Sequence, residues 1–123
     1  PQAPGVIGLQ RLADMLDDDR SAIADLLGVF AESMRAIDAR VVGEMSGSLA
    51  GCKSLAHEIK GMAANIGADA LSMIARDMEL AAGVGNTAAV RARVPDLQSA
   101  IAQAIASAER YVLENRDATP ACH

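Results

Sequence analysis

At 123 residues and 12.7 kDa the chain has the length of one domain. With 51% hydrophobic and 22% charged residues it can build a core, which excludes intrinsic disorder. A net charge of −5 and a sequence pI of about 4.8 exclude a generic nucleic-acid binder and a polybasic membrane anchor, and one Phe, one Tyr and no Trp leave nothing to stack on single strands.

Alanine fills 26 positions, while the β-branched and aromatic residues that favour sheets are scarce, so the composition reads as all-α. The longest uncharged run, Leu97 to Ala108, is twelve residues and too short to span a bilayer. No basic segment followed by an apolar one opens the sequence, so no secretory signal is read there. Residues 1–5, with two prolines and a glycine, read as a linker that joined the domain to a longer chain.

A short helix follows, with Leu9, Leu12 and Leu16 at helical spacing, and the acidic run Asp17–Asp18–Asp19 ends it and offers a cap to the next. In the second helix Ile23, Leu27, Phe30, Met34, Ile37, Val41 and Met45 recur every three or four residues. Ser46–Gly47–Ser48 breaks that run and supplies a cap. The third helix carries the stripe Cys52, Ala56, Ile59, Ala63 and Ile66, and Gly67 suits a left-handed cap at its end. The fourth uses Leu71, Ile74, Ala75, Met78 and Ala82 and stops at Gly83–Val84–Gly85. Asn86 caps a last helix whose stripe runs from Val90 through Val94, Leu97, Ile101, Ile105 and Ala108 to Val112. Pro95 interrupts it, and because the stripe keeps its register a kink is expected rather than a break. The pattern predicts an antiparallel four-helix bundle with a short additional N-terminal helix over residues 6–117, followed by a disordered tail at 118–123.

Cysteine use is uninformative: Cys52 lies in an apolar stretch and reads as a buried thiol, and adjacent Cys122 and His123 cannot supply a zinc site. No Glu-x-x-His pair exists, so a metal- or cofactor-binding bundle is disfavoured. The third helix holds the residues that a bland bundle does not need. On a helical wheel His57 falls about 140° from the centre of the apolar stripe, Lys60 about 80°, Ala64 about 120° and Gly61 about 180°. An imidazole thus faces water in a cleared patch with one ammonium group beside it. Gly61 in mid-helix costs about 1 kcal/mol relative to alanine. It reads either as a tolerated surface glycine or as room for a partner that approaches His57 closely. A lysine beside an exposed imidazole favours an anion bound to the ring and opposes ring protonation, which suits a nucleophile for a small anionic group.

The run Ala56-His57-Glu58-Ile59-Lys60-Gly61, continued by Ala63, Ile66-Gly67-Ala68, Leu71 and Glu79, resembles the signature of histidine-containing phosphotransfer (HPt) domains, approximately A-H-x-L-K-G-x-A-x-x-[IL]-G-A-x-x-L. The close similarity spans residues 52–82, with Leu26 to Phe30 a weaker one. Met62 departs from the small residue often found there, and its place at the edge of the core assigns it to packing. The resemblance implies that His57 is the phosphoacceptor, that Lys60 stabilises phosphoryl charge, that Gly61 gives a partner room and that Glu79 orients the imidazole. It implies response-regulator receiver domains as partners, with a hybrid sensor kinase in cis as one form of the parent chain, and a magnesium ion in the receiver rather than a cofactor here. No G-x-x-x-x-G-K-[ST] loop occurs, so neither ATP binding nor kinase activity is expected. A cytoplasmic monomer is expected. The competing readings are a phosphorylation-incompetent HPt-like bundle that serves as a protein-binding module, and a scaffolding bundle, which leaves Gly61 unexplained.

Overall fold

Periodicity becomes six helices in the computed structural model, which describes residues 6–116: α1 (Leu9–Met15), α2 (Arg20–Met45), α3 (Leu49–Asn65), α4 (Asp69–Gly83), α5 (Thr87–Ala92) and α6 (Val94–Arg116). The expected linker at 1–5 and the expected tail at 118–123, with Cys122 and His123, lie outside the described residues. Among the described residues there is no strand, and no helix is long and apolar enough to cross a membrane.

The helix starts follow local chemistry. Asp19, Ser48 and Asn86 each accept a hydrogen bond from the backbone N–H three residues on, at 3.0, 3.0 and 3.1 Å, so each satisfies a donor that the first turn would leave unpaired. The ends of α3 and α4 share one design. At Gly67 (φ +69°) the Ala68 N–H reaches back to the Ala63 carbonyl, and at Gly85 (φ +76°) the Asn86 N–H reaches back to Ala81. Asp17 (φ 54°) plays the same part after α1 without being glycine. Its neighbour Asp18 is also left-handed, and both are exposed.

Pro95 does more than kink the last helix. The chain closes α5 at Ala92, passes through Arg93 and starts α6 at Val94, so the expected kink is a break between two helices. The proline has no N–H to donate, and its ring would collide with the Arg91 carbonyl of a continuous helix. In the first turn of a new helix neither cost arises, because the first N–H groups have no intrahelical acceptor. Arg93 secures the corner with ion pairs to Asp77 of α4 (3.2 Å) and Asp96 of α6 (2.9 Å).

The most extensive packing is between α3 and α4 and between α2 and α6, each pair antiparallel, with α1 laid against the bundle as a lid. Leu12, Leu27, Met34, Leu55, Ile59, Leu71, Met78, Leu97 and Ile101 fill the interior, and no polar side chain is buried among the described residues. Each such aliphatic side chain contributes about 1.5–3 kcal/mol. The ion pairs Arg35–Glu109, Arg40–Glu44 and Arg11–Asp69 are half-exposed and screened by solvent, so the apolar core dominates. Ile7 and Leu12 belong to that core and its margin, and Cys52 is buried as expected.

Candidate functional site

Burying Cys52, Leu55, Ala56, Ile59 and Ala63 turns one face of α3 inward and thereby fixes what the opposite face shows to water. That outer face carries His57, Gly61 and Ala64, all exposed, with Lys60 half-buried at its edge. The His57 side chain is 68% exposed. A Cβ built on Gly61 would meet nothing within 4 Å, so no neighbour in the fold requires a glycine there. Met62 packs at the margin of the core, away from this face.

The turn at Ile66–Ala68 reverses the chain and brings α4 back along α3, which places Glu79 beside His57. One carboxylate oxygen of Glu79 lies 2.8 Å from Nδ1 of His57, and the other lies 2.7 Å from Nζ of Lys60. The Glu79 side chain is 17% exposed, and its carboxylate is shared by two neighbours on α3. The Lys60 ammonium, first, and the His57 ring, second, hold Glu79 below the usual carboxylate range against the opposing effect of desolvation. An ionised carboxylate only accepts hydrogen bonds, so Nδ1 carries the hydrogen and donates it. In the neutral ring the lone pair then resides on Nε2, directed away from Glu79. The arrangement is a nucleophilic nitrogen on an open surface, with its tautomer and ring plane fixed from a second helix.

All four expected residues converge here: His57, Lys60 and Gly61 on one turn of α3, and Glu79 across the seam. The sequence alone suggests a Lys60 ammonium acting freely on the ring. In the structure that ammonium is paired with one oxygen of Glu79, whose other oxygen meets the ring. Two further contacts escape sequence reasoning. The Ser72 hydroxyl donates to the Lys60 carbonyl at 3.4 Å, tying α4 to the turn of α3 that carries the site. Arg40 of α2 reaches Glu58, the neighbour of His57, at 3.6 Å. Both span different helices, and a wheel drawn for one helix holds no signal for them. Among the described residues no group of three or more His, Cys, Asp or Glu side chains could hold a metal ion.

Fold and site together define a helical bundle that presents an oriented histidine on its surface. A family model described as the Hpt domain matches residues 8–110, and the chain belongs to that family, whose members carry out histidine phosphotransfer in phosphorelays with receiver domains. Comparison with curated proteins and with solved structures gives no significant match.

Proposed function

We propose that the chain is a phosphorelay intermediate that accepts a phosphoryl group on Nε2 of His57 from a receiver-domain aspartyl phosphate and passes it to another receiver. The observation that carries this reading is the Glu79 contact, which holds the hydrogen on Nδ1 and leaves Nε2 as the free nucleophile at a 68% exposed residue. In the transfer the Nε2 lone pair attacks phosphorus and forms the N–P bond. The bond from phosphorus to the aspartyl oxygen breaks, and its electron pair restores the carboxylate. The proton on Nδ1 stays in place, so the phosphorylated ring carries a positive charge next to the Glu79 carboxylate. That charge makes the ring a good leaving group for the next transfer, which runs the same step in reverse onto a second aspartate.

Phosphoryl transfer depends chiefly on positioning and charge stabilisation, so this domain needs no pocket of its own. Glu79 positions the ring, Lys60 holds Glu79 ionised and stabilises the phosphoryl charge, and Gly61 leaves space for the partner's loops. The receiver, on a separate chain or on the same polypeptide as part of a hybrid sensor kinase, brings the aspartate and its magnesium ion. A monomer in the cytoplasm is sufficient for this role.

The test is incubation with phosphorylated receiver domains beside His57→Gln, scored for acid-labile, alkali-stable label. Label on the wild type and none on the variant is the expected result. A folded wild type that takes no label from any receiver would overturn the relay and favour a protein-binding module.

A further inference from the structure

The site stands open, so it cannot choose its anion by shape. The His57 side chain is largely exposed, and the space around Gly61 is empty. Any small oxyanion, inorganic phosphate included, can reach the ring. Discrimination between such an ion and a phosphoryl group delivered by a partner therefore falls to charge.

The carboxylate of Glu79 sets that charge. With the ring neutral, His57, Lys60 and Glu79 sum to zero. Both groups that would hold a free oxyanion are engaged by this one carboxylate, the Nδ1 hydrogen at 2.8 Å and the Lys60 ammonium at 2.7 Å. What the ring still offers is the Nε2 lone pair, which repels an oxygen anion. Without the carboxylate, an ammonium beside an exposed imidazole and a bare glycine would be a ready phosphate site, because charge-assisted hydrogen bonds are the strong ones. Phosphorylation reverses the balance. The phosphorylated ring is positive and meets Glu79 itself, so the Lys60 ammonium is free to turn to the phosphoryl oxygens.

We propose that Glu79 is a specificity determinant as well as the residue that positions the ring: by engaging Lys60 it keeps free oxyanions off His57 and leaves the site to phosphoryl groups that a partner delivers with their own countercharge. The inference deepens the relay reading given above and rests on it for the identity of that partner, whereas the exclusion of free oxyanions stands on the site alone. A residue that only positioned the ring would behave differently. Its amide isostere keeps an oxygen for the Nδ1 hydrogen, and the affinity for phosphate would not change.

Inorganic phosphate, titrated at fixed ionic strength and at about pH 8, where an imidazole is neutral, separates the two roles through the His57 ring signals in proton NMR. Wild type is compared with Glu79→Gln, with Glu79→Gln combined with Lys60→Ala, and with Glu58→Gln. Glu58 adjoins His57 in the chain and pairs with Arg40 at 3.6 Å, so its amide removes the same charge from the same neighbourhood and leaves the Lys60–Glu79 pair intact. Glu79→Gln is expected to bind phosphate roughly five- to tenfold more tightly than wild type. The double variant is expected to return to the wild-type value, and Glu58→Gln to stay near it. Phosphate should likewise compete with a phosphorylated receiver for Glu79→Gln and not for wild type. Affinity unchanged in Glu79→Gln, tightening retained without Lys60, or equal tightening in Glu58→Gln would each overturn the proposal while the relay stands. A wild type that takes no label from any receiver would remove the relay, and the titration would still decide what Glu79 excludes.

Discussion

Gly61 and Gly67 belong to the same helix, one in its body and one at its end, and they are glycines for opposite reasons. At Gly67 the backbone is left-handed (φ +69°), and an added Cβ would stand 2.8 Å from Cα and 2.9 Å from N of Gly8. There α1 is pressed against the end of α3, where the Gly8 N–H donates to the Ile66 carbonyl at 3.1 Å and Arg11 pairs with Asp69 at 3.3 Å. Around Gly61 the fold leaves open space. The first glycine is demanded from inside the molecule, and the second has no internal justification while sitting one turn from His57. A glycine that the fold needs shows itself as strain or close approach; Gly61 shows neither, and neither do Gly28 and Gly43 of α2, so its place one turn from His57 is what sets it apart.

The comparison breaks most readily at Gly67. Gly67→Ala combines an unfavourable backbone with a contact to main-chain atoms that cannot swing aside, so a loss of about 1–3 kcal/mol is expected. A thermal midpoint lowered by roughly 4–12 °C would register it, and an unchanged midpoint would mean that α1 lifts away at no cost. Gly61 should behave in the contrary sense. Gly61→Ala is expected to stabilise the fold by about 0.5–1 kcal/mol through helix propensity alone. Gly61→Gln, whose Cβ likewise meets nothing within 4 Å, should slow transfer from a receiver by roughly tenfold, on the order of 1.4 kcal/mol. Labelling by phosphoramidate, a small donor with no docking surface, should stay unchanged. Equal slowing with both donors would show that the side chain disturbs His57 itself rather than the approach of a partner.

The smallest effect concerns the carboxylate between the two regions. Folding holds Glu79 below the usual carboxylate range, first through Lys60 and then through His57. The stabilisation this brings is complete above the unfolded pKa and disappears as the pH falls through the lower, folded value. Thermal midpoints of wild type and Glu79→Gln should therefore differ at neutral pH and converge only below about pH 4. A difference that persists into stronger acid would assign it to packing rather than charge.

Much of this molecule was legible before its structure. The caps at Asp19, Ser48 and Asn86 and the left-handed end at Gly67 follow from side-chain chemistry within a few residues, and they stand where that chemistry puts them. So does the outward face of His57, because burying Ala56 and Ile59 leaves the ring nowhere else to point. Pro95 is the exception. An apolar stripe that keeps its register across a proline is compatible with either a kinked helix or two helices, and the Arg93 corner, pinned to Asp77 of α4, selects the second.

By itself the sequence determined the helices, their buried faces and the exposed imidazole with its clear neighbourhood, because each is fixed by rotation of about 100° per residue along one helix. Only the tertiary structure decided what crosses from one helix to another. The sharing of Glu79 between His57 and Lys60 and the contact of Gly8 with Gly67 depend on the axial register of packed elements. That register is set jointly by the shapes of both partners in the core and is written in neither helix alone.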